Sequence, residues 1–328
     1  MGCASEARRK SQLKLELQTF HLFTFKLLNF RILLMKLSII GVGKIGGALA
    51  IALARKNYEI ENLVSRNREN ASKIAEFVSA NWMDYTDEEI SKIASDVILI
   101  SVQDFNIESV AEDLAKNLQH LPIVLHTSGS LSSGVLQSLK KIGCQTGSIH
   151  PLVSISDSVL GANRFAGIYY CIEGDAEAIE TAQKIVADLG GKPFEIQSKF
   201  KTLYHASAVT ACGHLVALID VACEMLSKCG LDETQSKEIL LPLIESTVEN
   251  LKNQTTSQAL TGTFARADAA IFEKHLEILK ENVSPEALEV YLQLGARSVH
   301  LAEEQGADRE KLENLSNRIS LAKKNLKC

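Results

Sequence analysis

A glycine-rich loop between an apolar strand and a helix is the feature that most limits what this chain can fold into. The strand "LSII", residues 37–40, runs directly into a G-x-G-x-x-G pattern, and the segment "IGGALAIALARKN" follows. In this context the first glycine permits a tight turn, the second lets the backbone approach a pyrophosphate, and the third lets helix and strand pack closely. The pattern predicts that a dinucleotide is bound, its phosphates held by helix amides, through Gly41, Val42, Gly43, Lys44, Ile45 and Gly46.

The end of the second predicted strand, "NLVS", indicates which dinucleotide is bound. An NAD site usually places Asp or Glu about twenty residues after the last glycine, where it accepts a hydrogen bond from a ribose hydroxyl. This chain has Ser65 there, followed by Arg66 and Asn67. Because a guanidinium can pair with a 2′-phosphate and a carboxylate would repel it, the sequence favours NADP. An exposed basic turn is the alternative interpretation.

Apolar runs alternate with amphipathic segments up to residue 197. The runs "LSII", "NLVS", "DVILIS", "PIVLHT" and "GSIHPL" are short and continuous, which is typical of parallel strands buried on both faces. We therefore predict an α/β fold, a Rossmann-type doubly wound parallel sheet, over residues 35–197. "IYYCIEGD" and "GGKPFEIQ" are predicted as its last two strands.

Beyond Ser198 the pattern becomes helical throughout, which predicts an all-helical domain over residues 198–328. The expected helices have the approximate bounds 200–229, 232–253, 268–281, 285–305 and 308–325. Residues 1–34 do not match the rest and lack the pattern of a signal peptide. We expect them to be a disordered or amphipathic extension, or one that is not native and precedes a start at Met35.

Composition excludes several classes of protein. Charged residues make up 23% of the chain and the net charge is −5. Since nucleic-acid-binding proteins are usually basic or carry a basic stripe, neither nucleic acid nor a membrane is an expected partner. Because the cysteines are odd in number and scattered, they predict reduced thiols in a cytoplasmic protein and no metal site; they are Cys3, Cys144, Cys171, Cys212, Cys223, Cys229 and Cys328.

Polar residues follow several of the predicted strands. Val102, Gln103 and Asp104 end one strand, "HTSGS" (residues 126–130) ends the next, and His150 precedes Pro151 at the end of another. Ligands of open parallel sheets bind beyond the carboxyl ends of the strands. We therefore expect Val102 and Gln103 to contact the cofactor and His126, Ser128 and His150 to line a substrate pocket. Ordinary turns and caps are the alternative.

The first helix of the predicted helical domain carries a candidate proton donor. If Ser198 caps this helix, Lys201 lies in its first turn and His205 lies one turn later on the same face. The positive potential of a helix N-terminus, together with burial, lowers the pKa of a lysine toward neutrality. A proton donor needs such a pKa, although a surface lysine is the alternative.

The chain resembles a known family at these residues. "HTSGS", "SIHPL", "FAGIYYCIEGD", "KTLYHASAV", "LLPLIESTVEN" and "LTGTFARADAAIFEKH" are similar to proteins that pair a Rossmann-like NADP domain with the C-terminal domain of unknown function 2520. That family is related to pyrroline-5-carboxylate reductases, ketopantoate reductases and deazaflavin-dependent NADP oxidoreductases. The resemblance covers residues 35–328 and implies a helical domain of the 6-phosphogluconate-dehydrogenase-like type.

The resemblance also implies roles for residues of the helical domain. A catalytic Lys-x-x-x-Asn of the wider superfamily corresponds to Lys201–His205, with His replacing Asn. Arg266, Asp268 and His275 are expected to bind an acidic substrate. The chain departs from the pattern at Gly213, Thr263 and Ala267. The departure at Ala267 puts the conformation of its loop in doubt, because Ala lacks the freedom of Gly.

Together these observations predict an NADP-dependent oxidoreductase that reduces a C=O or C=N bond of a small carboxylated metabolite. A ketopantoate-like 2-oxo acid is the first expected substrate and a cyclic imine the second. Lys201, His205, Ser128 and His150 are the expected catalytic residues. The resemblance further implies a homodimer formed through the helical domain. The alternative is a catalytically inactive NADP-binding sensor or scaffold, in which Lys201 would face solvent.

Overall fold

The computed structural model describes residues 35–326, so the predicted extension, residues 1–34, lies outside the described residues. The chain divides into two compact units, Met1–Ala208 and Val209–Cys328. The domain boundary predicted at 197/198 from sequence periodicity stays a prediction.

An eight-stranded sheet forms the centre of the first unit, and its strand order is β3-β2-β1-β4-β5-β6-β7-β8. This order, with helices between successive strands, confirms the prediction of a Rossmann-type α/β fold. The strands are β1 (Lys36–Ile40), β2 (Glu59–Val64), β3 (Asn81–Met83), β4 (Val97–Ile100), β5 (Ile123–His126), β6 (Thr146–Pro151), β7 (Tyr169–Gly174) and β8 (Lys192–Glu195).

Helices pack on both faces of this sheet because its strands are apolar on both faces. On β4, Val97 and Leu99 belong to one buried cluster, whereas Ile98 and Ile100 belong to another. Successive side chains of a strand point to opposite faces, so the two clusters are two separate layers of core. The helices are α1 (Lys44–Ala54), α2 (Arg68–Val78), α3 (Asp87–Ile90), α4 (Ile107–Asn117), α5 (Gln137–Ile142), α6 (Ser158–Gly161) and α7 (Ala176–Asp188).

The sheet differs from the predicted parallel arrangement at one pair of strands. β6 and β7 are antiparallel, and Pro151 lies opposite Tyr170. The segment that joins these strands contains only the four-residue helix α6, which is too short to cover a parallel crossover. The strand β3 was not predicted, since its three residues are too few to show a period.

The second unit is helical, as predicted. Its helices are α8 (Lys201–Lys228), which begins in the first unit, α9 (Glu233–Asn253), α10 (Thr256–Ala259), α11 (Ala269–Asn282), α12 (Pro285–Glu304) and α13 (Arg309–Leu326). Buried side chains of α11, α12 and α13, among them Phe272, Leu292 and Leu315, form its core.

The helices α8 and α9 contribute little to that core. Lys201 is the buried residue of α8 and Ser236 that of α9, so their apolar side chains are mostly exposed. The segment Ser198–Lys228 is also the one candidate, among the described residues, that is long and apolar enough to cross a membrane, with a mean hydropathy of 1.7 over its most apolar stretch. One such helix is weak evidence for a membrane protein.

The expectation that Ser198 caps α8 is wrong. A 3₁₀ turn, Ser198–Phe200, precedes the helix, which begins at Lys201. The Ser198 hydroxyl donates instead to Oε2 of Glu173 on β7, at 2.8 Å. This hydrogen bond attaches the start of α8 to the sheet.

Candidate active site

The glycine loop has the geometry that binding of a dinucleotide requires. Gly41 has a φ of +96°, which only glycine adopts readily. A methyl group at Gly46 would collide with the carbonyl oxygen of Gly41, whereas one at Gly43 would enter open space. That space belongs to a cavity of about 730 Å³ beside the loop. The absence of a side chain at Gly43 therefore leaves room for a ligand against the backbone.

Most residues predicted to contact the cofactor line this cavity. They are Gly41, Val42, Gly43, Lys44, Ser65, Arg66, Asn67, Val102 and Gln103. Ile45 lines a neighbouring cavity instead, and Gly46 is buried in helix α1. The absence of a Cβ atom at Gly46 therefore permits close packing of helix α1, which is the role predicted for this glycine.

The sequence did not predict several other residues of this cavity, among them Asn70, Ser158 and Tyr85. Asn70 Nδ2 donates to the carbonyl oxygen of Val42, at 2.5 Å, and ties helix α2 to the glycine loop. Ser158 Oγ donates to the carbonyl oxygen of Lys44, at 3.2 Å. Tyr85 lines the cavity and donates to Asp113, at 2.9 Å. Asn70 lies in the first turn of α2, Ser158 on the four-residue helix α6 and Tyr85 in a loop, and none of them belongs to a motif.

A second cavity of about 490 Å³ adjoins the first. Gly43, Lys44, Ser101, Val102 and Gln103 line both cavities, so the two form a continuous cleft along the carboxyl ends of the strands. Its polar lining includes Asp104, Ser128, His150 and His205. The structure therefore brings three of the four predicted catalytic residues to one cleft.

Polar residues alternate on one face of β6 and β7. Ser148 and His150 are two residues apart on β6, and they lie opposite Glu173 and Cys171 of β7. Directly opposed residues of an antiparallel pair share a face. All four side chains therefore lie on the same face of the sheet, and the first turn of α8 covers it.

Lys201 lies between this face and α8, and only 1% of the residue is exposed. Its Nζ donates to Oγ of Ser148, at 2.5 Å, and to Sγ of Cys171, at 3.7 Å. Burial lowers the pKa of Lys201 from its usual value, as predicted, and Cys171 and Glu173 oppose that shift. The ammonium group does not line the cleft, nor does it face solvent as the sensor alternative required.

His150 and Tyr204 form a hydrogen-bonded pair at the edge of the cleft. Nδ1 of His150 lies 2.6 Å from the Tyr204 hydroxyl. Burial lowers the pKa of His150 to about 4, and the charge of Lys201 acts in the same direction. His150 is consequently neutral at neutral pH.

His205 lies beside His150, with a distance of 5.7 Å between the ring centroids. A methyl group at Gly129 would meet both imidazoles, so this glycine lets them approach the "HTSGS" loop. The buried Nδ1 of His205 has no hydrogen-bond partner within residues 35–326.

Ser128 and His126 shape the loop at the end of β5. The Ser128 hydroxyl accepts from the amides of Ser130 and Leu131, at 3.2 and 3.1 Å, and it also lines the cleft. His126 is fully buried, its Nδ1 accepts from the Ser128 amide at 3.2 Å, and it lines neither cavity. Burial lowers the pKa of His126 to about 4.

The remaining predicted residues lie in the second unit. Asp268 caps α11 by accepting from the amide of Ile271, at 3.0 Å, and His275 Nδ1 lies 2.8 Å from the Tyr291 hydroxyl. Ala267 has a φ of +49°, the left-handed conformation that the replacement of Gly by Ala had put in doubt. Ala267 thus holds this left-handed conformation at a cost in backbone strain. The predicted contact of Arg266, Asp268 and His275 with substrate stays a prediction.

The residues missed in the first unit were Ser148, Cys171, Glu173 and Tyr204. A signal for three of them was present, because "SIH" and "CIE" alternate polar and apolar residues at the period of a strand. The antiparallel pairing that places them together could not be inferred from that period.

The fold and the cleft define a protein with a Rossmann-like dinucleotide-binding domain followed by a helical region. Comparison with family models agrees: a Rossmann-like domain matches residues 28–151, and a domain of unknown function, DUF2520, matches residues 168–298. The chain therefore combines a Rossmann-like domain with a DUF2520 domain, in that order. No curated protein matches the sequence.

Solved structures share this fold. A Bacteroides fragilis protein named as a candidate NADP oxidoreductase is 24% identical, with a TM-score of 0.67 over 81% of this chain and 98% of its own. A Thermotoga maritima protein is 26% identical, with a TM-score of 0.65 over 82% and 99%. A Plasmodium falciparum pyrroline carboxylate reductase with NADP bound is 18% identical, with a TM-score of 0.54 over 86% and 97%.

Proposed function

We propose that this protein is an NADP-dependent oxidoreductase that reduces a C=O or C=N bond of a small carboxylated metabolite. The observation that carries the proposal is the continuity of the two cavities. A dinucleotide with its pyrophosphate on the glycine loop would lie along the residues common to both linings, which include Gly43 and Gln103. Its nicotinamide end would then face His150 and His205.

Selection of NADP is assigned to the turn after β2. Arg66 and Asn67 line the first cavity, and Ser65 accepts from the amide of Asn67, at 3.1 Å, which orders the turn. Both carboxylates of this cavity already accept hydrogen bonds from other residues of the protein. Asp113 accepts from Tyr85, and Asp157 accepts from the amides of Val159 and Leu160. A guanidinium is thus available for a 2′-phosphate.

Within this proposal, the cofactor supplies hydride and the protein supplies placement and a proton. Ser128, His150 and His205 hold the substrate, while Lys201 is the ultimate proton source. Substrates tried first are ketopantoate and then 1-pyrroline-5-carboxylate. The Plasmodium enzyme has NADP bound and the Bacteroides protein is named as a candidate NADP oxidoreductase, which supports the choice of cofactor.

The test is stopped-flow oxidation of NADPH against a panel of 2-oxo acids and cyclic imines. We expect turnover with at least one of them, and Lys201→Met should lower kcat by about 10²–10⁴-fold. A loss within about tenfold would contradict the role of Lys201. NADPH oxidation by none of the panel, with NADPH binding intact, would favour the sensor alternative.

The choice of cofactor has a separate readout in fluorescence titration of NADPH and NADH. Arg66→Ala should weaken NADPH binding roughly 10- to 100-fold, the equivalent of one charge-assisted hydrogen bond, and leave NADH binding unchanged. Arg68→Ala is the matched control, because that guanidinium lies over the Trp82 ring and does not line the cavity.

We also propose that the protein is a cytoplasmic homodimer joined through α8 and α9. Their exposed large side chains include Val216, Leu218, Leu241 and Leu243, and a second copy presents the same two faces. A bilayer is the poorer partner, because α9 carries charged pairs such as Glu233–Lys237 and Glu249–Lys252, and charge inside a membrane is costly.

A further inference from the structure

The two cavities of the cleft extend over different strands of the sheet. Across this edge the strands follow in the order β3, β2, β1, β4, β5 and β6. The second cavity is lined by residues that follow β4, β5 and β6, among them His150. The first cavity reaches residues that follow β1, β2 and β3, among them Gly43, Arg66 and Tyr85. A dinucleotide with its nicotinamide beside His150 would therefore have its adenine near the ends of β2 and β3.

The first cavity has an apolar wall at that end. Val64, the last residue of β2, and Val110 on α4 belong to one buried cluster, and the ring of Tyr85 packs against that cluster. All three residues line the cavity. Cofactor sites combine such apolar surface with a few polar groups that fix the orientation of the ligand. This end of the cavity therefore suits a flat aromatic base.

Asp113 places a carboxylate beside the apolar wall. It follows Val110 by three residues on α4, so the two side chains share a face of the helix, and it also lines the cavity. Its Oδ2 accepts from the Tyr85 hydroxyl, at 2.9 Å, and its Oδ1 lies 3.5 Å from Nζ of the exposed Lys116. Because a carboxylate has about four acceptor positions, Asp113 can accept a further hydrogen bond from a ligand.

The Tyr85 hydroxyl holds this carboxylate in place. Burial raises the pKa of Tyr85, and its hydrogen bond to Asp113 acts in the same direction. The phenol consequently stays protonated at neutral pH and remains the donor of the pair. Asp113 then offers the cavity acceptor positions in a fixed direction.

We propose that Asp113 recognises the adenine of the cofactor by accepting a hydrogen bond from its exocyclic amine. That amine is the hydrogen-bond donor on the edge of adenine, whose ring nitrogens are acceptors. The inference rests on the proposed function and adds two residues to those that bind the cofactor. Asp113 contacts the base, and Tyr85 is a positioning residue that acts through Asp113.

The location of Asp113 favours the base over the ribose as its ligand. A carboxylate that binds the ribose hydroxyls is expected at the end of the second strand, about twenty residues after the glycine loop. This chain has Ser65 at that position. Asp113 lies on α4 instead, and its partner Tyr85 follows β3.

The test is fluorescence titration of the full chain with NADPH and with its deamino analogue, in which hypoxanthine replaces adenine. Hypoxanthine has a carbonyl oxygen in place of the amine, so Asp113 would meet a second acceptor. We expect the unsubstituted protein to bind NADPH about 10- to 100-fold more tightly than the analogue, as the loss of one charge-assisted hydrogen bond predicts. Equal affinity for the two nucleotides overturns the inference, and this measurement requires no variant to fold.

The variant Asp113→Asn assigns the preference to this side chain. Its two dissociation constants should lie within about threefold of each other, because an amide can donate to the hypoxanthine oxygen as well as accept from the adenine amine. Asp157→Asn is the matched control, since Asp157 lines the same cavity but follows β6 and caps α6. That variant should keep the full preference for adenine. A full preference in Asp113→Asn also overturns the inference.

Tyr85→Phe tests whether the hydroxyl positions the carboxylate. The ring remains in this variant, so the apolar wall is kept, but Asp113 is no longer held. The preference for NADPH over the analogue should fall by about threefold or more, as expected for one hydrogen bond. Equal weakening of both nucleotides would leave the preference intact and would overturn the positioning role of Tyr85.

The same titrations with NADH and deamino-NADH separate this inference from the proposed function. Adenine is common to both cofactors, so the preference for adenine over hypoxanthine should be the same in each pair. Tighter binding of NADH than of NADPH would contradict the selection of NADP and leave the role of Asp113 standing. Equal binding of the adenine and hypoxanthine forms would overturn the role of Asp113 alone. Binding of none of the four nucleotides would overturn both.

Discussion

Gly43 and Gly46 are three residues apart in one loop, yet substitution should affect them in different ways. Gly43→Ala should fold with unchanged stability, because its φ of −83° suits any residue and a methyl group there meets no atom within 4 Å. That methyl group would fill the space needed by a pyrophosphate, so NADPH affinity should fall by at least about tenfold, measured by fluorescence titration.

Gly46→Ala is the matched comparison. Its methyl group would collide with the Gly41 carbonyl, so the loss should appear in the free energy of unfolding, by about 1–3 kcal/mol as for other overpacked sites. Equal NADPH affinity in Gly43→Ala and the unsubstituted protein would show that no ligand approaches the loop backbone.

The buried histidines predict how stability depends on pH. The pKa values of His126 and His150 are both lowered to about 4, against about 6.5 in an unfolded chain. Since the unfolded state binds more protons between these values, stability is full above about pH 6.5 and falls as the pH drops toward 4.

Substitution of one of these histidines should remove that residue's contribution to the slope of the unfolding free energy against pH. Per proton the slope is about 1.4 kcal/mol per pH unit, so His126→Gln should lower the slope of the unfolding free energy between pH 6 and 4.5 by about that amount. Urea unfolding at several pH values measures it. An unchanged slope would mean that His126 is not held neutral by burial.

At the scale of single elements, α2 offers a pair of serines with opposite expectations. Ser79 ends the helix in the left-handed conformation, with φ 57° and ψ 38°, which favours glycine. Ser79→Gly should therefore stabilise the protein by about 0.5–1 kcal/mol. Ser72→Gly, inside the same helix and also exposed, should destabilise it by about 0.5–1 kcal/mol. Thermal unfolding of both variants decides whether the conformation at Ser79 carries strain.

The elements also show what the sequence could and could not predict. Helices α8, α9 and α12 begin and end within about one residue of their predicted bounds, because caps such as Asp232 and Ser284 and the apolar period mark them. The direction of β7 was not predictable, since a strand has the same period whether it runs parallel or antiparallel. Tyr204 therefore looked like an ordinary helix residue, although its partner His150 was already a candidate.

At the scale of the whole molecule, the exposed faces of α8 and α9 predict the oligomeric state. Val216 and Leu243 are about two-thirds exposed, at 67% and 65%. Sedimentation of the unsubstituted protein should give twice the mass of the chain. The double substitution Val216→Glu and Leu243→Glu should give single chains, because it would bury charge in the interface.

Leu321→Glu controls for this substitution. Leu321 is similarly exposed, at 60%, but lies on α13, so the dimer should persist. Single chains in the unsubstituted protein, or its co-flotation with phosphatidylcholine vesicles, would contradict the homodimer.

The reversal of direction between β6 and β7 has a consequence for how such a protein can diversify. Since both strands meet at the same edge, the segment that joins them, residues 152–168, begins along the cleft, which residues 153, 155 and 156–158 line, and Ser158 ties it to the glycine loop. Insertions or deletions among residues 153–157 would change the lining of the cleft without removing a residue of the strand pairing. Directed evolution toward new substrates would do best to vary the length of this segment first.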